Sequence, residues 1–110
     1  MSAIKNKVQL IGNLGNDPEI INLESGKRLA KFTIATNETY KNNKGEKVTD
    51  TQWHNVVAWG KTAEIIKKYL TKGKEVAVEG KLTSRSYETK EGEKRYITEV
   101  VCNELLMLGK

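Results

Sequence analysis

The sequence predicts a small all-β barrel, five antiparallel strands in Greek-key order with one short helix. Three observations predict it. Short runs rich in β-branched and apolar residues recur from Lys7 to Cys102; the apolar period changes from 2 to about 3.6 only once, near residues 62–71; and that change falls between the third and fourth strands. A chain of 110 residues makes a single domain, residues 1–110. At that size roughly two thirds of the unfolded surface is buried, enough for one modest core without disulfide or metal staples.

The elements follow in order. Lys7-Val8-Gln9-Leu10-Ile11-Gly12 reads as a strand that ends in the turn-rich Gly12-Asn13-Leu14-Gly15-Asn16-Asp17-Pro18. Glu19 to Leu23 is a short strand, counted with the first as one bent strand, and Glu24-Ser25-Gly26-Lys27 is a tight connection. Arg28 to Tyr40 alternates, with Ala30, Phe32 and Ile34 on one face and Lys31, Thr33 and Ala35 on the other, as a half-buried strand does. Lys41 to Thr49 is almost wholly polar around Gly45 and reads as a mobile hairpin loop. Thr51 to Trp59 is the third strand. From Thr62 to Thr71 a helical period puts Ile65, Ile66, Tyr69 and Leu70 on one face, with Gly73 where a C-terminal cap belongs. Lys74 to Tyr87 and Glu93 to Cys102 are the last two strands, joined by Glu88-Thr89-Lys90-Glu91-Gly92. Leu105-Leu106-Met107-Leu108 is either an edge strand or an interface segment. Five strands with the helix between the third and fourth match a barrel of the oligonucleotide/oligosaccharide-binding (OB) type. A β-grasp fold or a simple meander places its helix elsewhere, and a parallel α/β fold needs repeated crossover helices.

Composition removes several function classes. No run of 18 apolar residues occurs, and the opening Met-Ser-Ala-Ile-Lys-Asn-Lys carries charge where a leader peptide is apolar, so a soluble cytoplasmic protein with no membrane partner is expected. Cys102 has no disulfide partner; with the single His54 it makes no zinc set, and it reads as a small buried thiol beside Val100 and Val101. No metal and no cofactor is expected. His54, in Trp53-His54-Asn55 within a strand, has no orienting partner nearby and reads as a structural group. No Gly-x-Ser-x-Gly, His-Glu-x-x-His or Gly-Lys-Ser/Thr pattern is present, and the glutamates are dispersed among lysines. No catalytic residue is assigned, and the protein reads as a non-enzyme.

What remains is a set of aromatics among basic residues, in a chain with 19 Lys and Arg against 14 Asp and Glu. Phe32 and Tyr69 belong to apolar faces and read as core. Trp53 and Trp59, six apart, share a face of their strand with Asn55 and Val57 between them. Tyr87 lies two residues after Arg85, on the side of Thr83 and Lys81 and away from Val76, Val78 and Leu82. Rings beside cations suit unpaired bases joined by phosphates, with little sequence preference. Two Trp on one face also suit a barrel core. Parity places Tyr40 with Phe32 and Ile34 unless a bulge resets it, and Tyr96 is open between packing and contact.

Several blocks carry a family pattern: Lys7-Val8-x-Leu10-Ile11-Gly12-Asn13-Leu14-Gly15-x-Asp17-Pro18-Glu19, Phe32-Thr33-Ile34-Ala35-Thr36-Asn37-Glu38, Thr51-x-Trp53-His54-x-Val56-Val57-Ala58-Trp59-Gly60-Lys61, Tyr69-Leu70-x-Lys72-Gly73, Val78-Glu79-Gly80 and Arg95-Tyr96-x-Thr98-Glu99-Val100-Val101. In this order, across residues 4–109, they closely resemble the bacterial single-stranded DNA-binding proteins. The resemblance implies an OB-fold homotetramer that wraps single-stranded DNA in replication, recombination and repair, at the nucleoid. It implies base stacking on Tyr40, Trp53, Trp59 and Tyr87, and phosphate contacts from Lys61, Lys72, Arg85, Arg95 and Lys7. His54 matches a position of structural or subunit contact. Asn55, Thr83 and Ser86 stand where some relatives carry Arg or Lys, which implies weaker phosphate binding or altered wrapping. The family continues into a Gly/Pro/Gln-rich tail with an acidic tip that recruits replication and repair proteins, whereas this chain stops at Leu108-Gly109-Lys110; such partners are expected only of a form with that tail. The competing readings are an RNA-binding or primosome-accessory barrel, and a barrel nuclease, which needs a carboxylate cluster for metal.

Overall fold

Alternating apolar residues need a closed surface to face, and here they face the inside of a curled sheet. The computed structural model describes residues 3–108; Met1, Ser2, Gly109 and Lys110 lie outside the described residues, and so do the expectations resting on them about the opening residues and the stop after Leu108. After one 3-10 turn (Ala3–Asn6) come β1 (Val8–Leu14), β2 (Glu19–Asn22), β3 (Arg28–Lys41), β4 (Lys47–Trp59), α1 (Gly60–Tyr69), β5 (Glu75–Glu88) and β6 (Lys94–Met107). The strand order is β1-β5-β6-β4-β3-β2, and β1 also pairs with β3 at Asn13 and Leu14, which closes the barrel. β2 continues along β3 from Glu19, opposite Lys31, to Asn22, opposite Arg28, so β1 and β2 act as the one bent strand expected.

One contact corrects the all-antiparallel expectation. β4 and β6 run parallel at Val56–Val100 and Val57–Val101. A closed ring of five strands cannot alternate direction all the way round, so one neighbouring pair has to be parallel.

The barrel interior holds Ala30, Phe32 and Ile34 of β3, Val56 and Ala58 of β4, Val76 and Val78 of β5, and Val100 and Cys102 of β6. Helix α1 plugs the barrel with a narrow stripe, Ala63 and Ile66, followed by Leu70 just past its end. Ile65 and Tyr69, expected to share that buried face, are 44% and 48% exposed. A helix that touches a curved end buries fewer positions than one lying flat on a sheet, and Ile65 is rotated about 100° from Ile66. Gly73 is not the helix cap. The helix stops at Leu70, whose N–H still bonds the Ile66 carbonyl (3.0 Å), while Gly73 takes φ +90° in the next turn and donates its N–H to the Leu14 carbonyl (2.8 Å).

Two hairpins extend beyond the barrel. β3 and β4 pair without interruption out to Lys41 opposite Lys47, so the polar segment read as a loop shrinks to Asn42–Glu46. Asn42 holds that turn, its Oδ1 accepting the N–H groups of Lys44 (2.9 Å) and Glu46 (3.0 Å). β5 and β6 pair to Glu88 opposite Lys94. The radius of gyration, 16.1 Å, exceeds the roughly 13 Å of a compact chain this long, as projecting ribbons require. β6 also absorbs the last apolar piece: Leu105, Leu106 and Met107 pair with Val78, Ala77 and Val76, after a register shift at Glu79/Gly80. Among the described residues no helix is long and apolar enough to cross a membrane.

Cys102 is 5% exposed, and burial pushes its thiol up to about 11. The folded protein therefore keeps a proton that the unfolded chain releases from about pH 8.5. Stability is expected to fall as pH rises between those values, by at most about 1.4 kcal/mol per pH unit, and the Cys102→Ala variant is expected to lack that part of the fall. Identical slopes for both proteins in denaturant titrations between pH 8 and 10 would contradict it.

Candidate nucleic-acid interface

Period-2 geometry turns His54, Val56 and Ala58 of β4 inward and Trp53, Asn55, Val57 and Trp59 outward. Trp53 is 63% and Trp59 44% exposed, which removes the barrel-core reading of the pair. Their cross-strand neighbours on β3 share the outer face: Ala35 opposite Trp53, Thr33 opposite Asn55, Lys31 opposite Val57, Leu29 opposite Trp59.

Trp53 has a built floor. A Cβ on Gly15 would overlap the six-membered ring of Trp53 and come within 2.7 Å of the Thr33 Oγ1. The corner carrying Gly15 is fixed by side chains of the Gly12–Pro18 block. Asn16 Oδ1 accepts from the Thr33 N–H (2.9 Å) and hydroxyl (2.8 Å), Asp17 Oδ1 accepts the Lys72 N–H (2.8 Å), and Asn13 Nδ2 donates to the Gly73 carbonyl (3.1 Å). That polar, turn-rich motif is a clasp that seats the ring.

The β5–β6 ribbon adds Tyr87, 47% exposed, with Arg95 opposite it, on the face that also carries Lys81, Thr83, Arg85 and Glu99. Arg85 donates from Nε to Glu99 Oε1 (3.0 Å) and from Nη2 to Oε2 (3.4 Å). The bond to Glu99 and its charge push the Arg85 guanidinium pKa above its ordinary value. Glu99 is only 7% exposed. The pair lines a hollow with Lys31, Val57, Thr83 and Trp59, which explains why Val57 is buried although it faces outward.

Tyr40 stands on the other face of its ribbon, opposite Val48. The β3–β4 register is unbroken, so no bulge resets its parity, yet it is 53% exposed because the ribbon there has left the barrel. Tyr96 is 72% exposed, opposite Ser86 and on the face away from Tyr87, with the Lys94 ammonium 5.9 Å from its ring centre; it is not packed in the barrel.

The basic residues divide. Lys61, in the first turn of α1 directly after Trp59 and Gly60, and Lys72, in the turn after α1, are exposed. Arg95 pairs with Glu93 (3.1 Å). Lys7 pairs with Glu79 (3.4 Å) beside β1 and β5, away from the tryptophans; the Gln9 amide, and then Lys7, hold the Glu79 carboxyl below its usual range. Sequence reasoning passed over Lys31, Lys41 and Lys47. Lys41 and Lys47 face each other across the ribbon on the Trp53 side, an arrangement that is unfavourable without an anion nearby. Parity counted back from Trp53 through Thr51 and Thr49 finds Lys47, once the strand is known to begin there.

His54 fits its structural reading: half-buried, its Nε2 lies 3.0 Å from the Thr36 hydroxyl. Elsewhere Ile11 (62% exposed), Ala77 and Leu106 (62% exposed) sit side by side across β1, β5 and β6 as an apolar strip. Among the described residues no three His, Cys, Asp or Glu side chains cluster as a metal site.

Comparison with known proteins places this face in context. The model of the Single-strand binding protein family matches residues 5–108. The chain is 50% identical over 105 residues to Single-stranded DNA-binding protein 1 of Chlorobaculum tepidum, covering 94% of this chain and 65% of that protein. It is 47% identical over 106 residues to Single-stranded DNA-binding protein 1 of Xylella fastidiosa, covering 96% and 78%. The chain thus spans just under two thirds of the first relative's length. A solved structure described as Plasmodium falciparum SSB complex with ssDNA superposes with a TM-score of 0.88 at 35% identity, covering 94% of this chain and 95% of that one.

Proposed function

Because the chain belongs to the single-strand binding protein family, we propose that it binds and protects single-stranded DNA, with little sequence preference and without catalysis, in replication, recombination and repair at the cytoplasmic nucleoid. The observation that carries this reading is the pair of exposed tryptophans on the outer face of β4, set among lysines and polar side chains. A base stacked on a ring contributes roughly 1 to 3 kcal/mol, an exposed ion pair about 0 to 1. Trp53, Trp59 and Tyr87 therefore supply most of the affinity. Tyr40 joins them if the strand passes round the edge of the β3–β4 ribbon to its second face. Lys61, Lys72, Arg95 and Lys7, together with Lys31, Lys41 and Lys47, supply charge for the phosphates, and Arg85 meets the strand between the rings. DNA rather than RNA is chosen on the family, and competition between single-stranded DNA and RNA of equal length tests that choice, an RNA preference overturning it.

The reading extends to self-association as a homotetramer, supported by the Ile11, Ala77 and Leu106 strip, the kind of exposed apolar patch that an interface covers. Light scattering is expected to give a tetramer at micromolar concentration; a monomer overturns that part. Replication and repair proteins are proposed as partners only of a form carrying an acidic tail.

Oligo-dT is expected to quench the tryptophan fluorescence, and unchanged emission at saturating DNA sinks the assignment. In a salt titration log affinity should fall by about 0.7 per phosphate neutralised, and Lys61→Ala should reduce that slope by about 0.7. Incubation with divalent metal ions is expected to leave the DNA uncut.

A further inference from the structure

Arg85 sits where a phosphate ligand is wanted, but its charge is already answered. Its guanidinium is bonded through two nitrogens to a carboxylate that is 7% exposed, on a strand 14 residues away in sequence. Lys31 lines the same hollow and has no carboxylate within 4 Å among the described residues. We propose that Glu99 is a positioning residue of the DNA-binding face: it clamps Arg85 as a flat, charge-compensated platform between Trp59 and Tyr87, so that Arg85 meets bases and not phosphates. This rests on the single-stranded DNA reading and adds to it a division of labour among the cations.

The physical argument has two parts. A bidentate carboxylate fixes the plane of a guanidinium, and a guanidinium of fixed plane offers a face on which bases stack. The carboxylate also removes the local net charge. A phosphate drawn to Arg85 would have to compete with Glu99, and a displaced Glu99 would be left as a buried carboxylate without its partner, which is costly. A compensated pair neutralises no phosphate and so releases no counterion from the DNA. The lysines set the salt dependence, while Arg85 contributes affinity that salt does not erode.

The test is a set of oligo-dT salt titrations on the full chain, with thermal melts to establish folding. Glu99→Gln keeps an acceptor for Arg85 and frees its charge, and is expected to steepen the slope of log affinity against log salt by about 0.7. Arg85→Gln combined with Glu99→Gln leaves the net charge unchanged; it is expected to keep the wild-type slope while lowering affinity several-fold at every salt concentration. Lys61→Ala is the reference for a free cation and should make the slope shallower. A double variant whose slope falls as that of Lys61→Ala does, or a folded Glu99→Gln variant with the wild-type slope, overturns the proposal. Absence of oligo-dT binding by the wild-type protein overturns the underlying reading instead, and so the two failures are distinct.

Discussion

Replacing Trp53 with Ala is expected to weaken oligo-dT binding by about 1 to 3 kcal/mol, and Trp59→Ala by a similar amount. Both rings stand on the outer face of β4 at 63% and 44% exposure, so their removal opens no cavity in the core. Folding stability should stay within about 0.5 kcal/mol of wild type, with a larger change for Trp53→Ala if its contact with Gly15 contributes. Six residues of extended strand separate the rings by about 20 Å, far enough for their effects to add on an oligonucleotide long enough to reach both. The double variant should then lose about 2 to 6 kcal/mol. Single variants that each bind within about 0.5 kcal/mol of wild type, well below one stacked base, would place the DNA on another face.

Gly15→Val is expected to damage fold and site together. The position has no room for a side chain: even a Cβ meets the Trp53 ring and the Thr33 hydroxyl, and Asn13 before it and Asn16 and Asp17 after it pin the backbone. The corner cannot retreat without breaking those bonds, so the ring has to move. Forcing methyl groups into a closed contact costs about 1 to 3 kcal/mol of stability. Binding should fall toward the level of Trp53→Ala, with a shifted Trp emission spectrum in the free protein. A Gly15→Val protein that melts, emits and binds like wild type would show that the Gly15 contact does not seat Trp53.

How far the site was legible follows from the range of each signal. Alternation is a property of neighbouring residues, and it placed Ala30, Phe32 and Ile34 inside and Trp53 and Trp59 together on one face, as found. It also put Tyr40 on the side where it lies; only family resemblance made Tyr40 a contact. The polar run Lys47 to Asp50 gave no local sign of being strand, because what orders it is pairing with Glu38 to Lys41 across the ribbon. For the same reason nothing local marks Lys41 and Lys47, proposed above as phosphate contacts, as facing one another.

Composition and periodicity, being local, were enough to determine an all-β chain with one helix, the faces of its strands and the separation of Phe32 in the core from an exposed tryptophan pair, whereas Tyr69, expected in the core, is exposed. Closure of the ring decided the rest. An odd number of strands in the ring forced one neighbouring pair to run parallel, and that pair is β4 and β6; a helix plugging a barrel end buried Ala63, Ile66 and Leu70 while leaving Ile65 and Tyr69 in water. The count of Lys and Arg is likewise a sequence quantity, but the effect of each charge depends on what lies within a few ångströms. Only the tertiary structure brought Glu99 onto Arg85 and Glu79 onto Lys7, and left Lys31 and Lys61 without such a partner among the described residues.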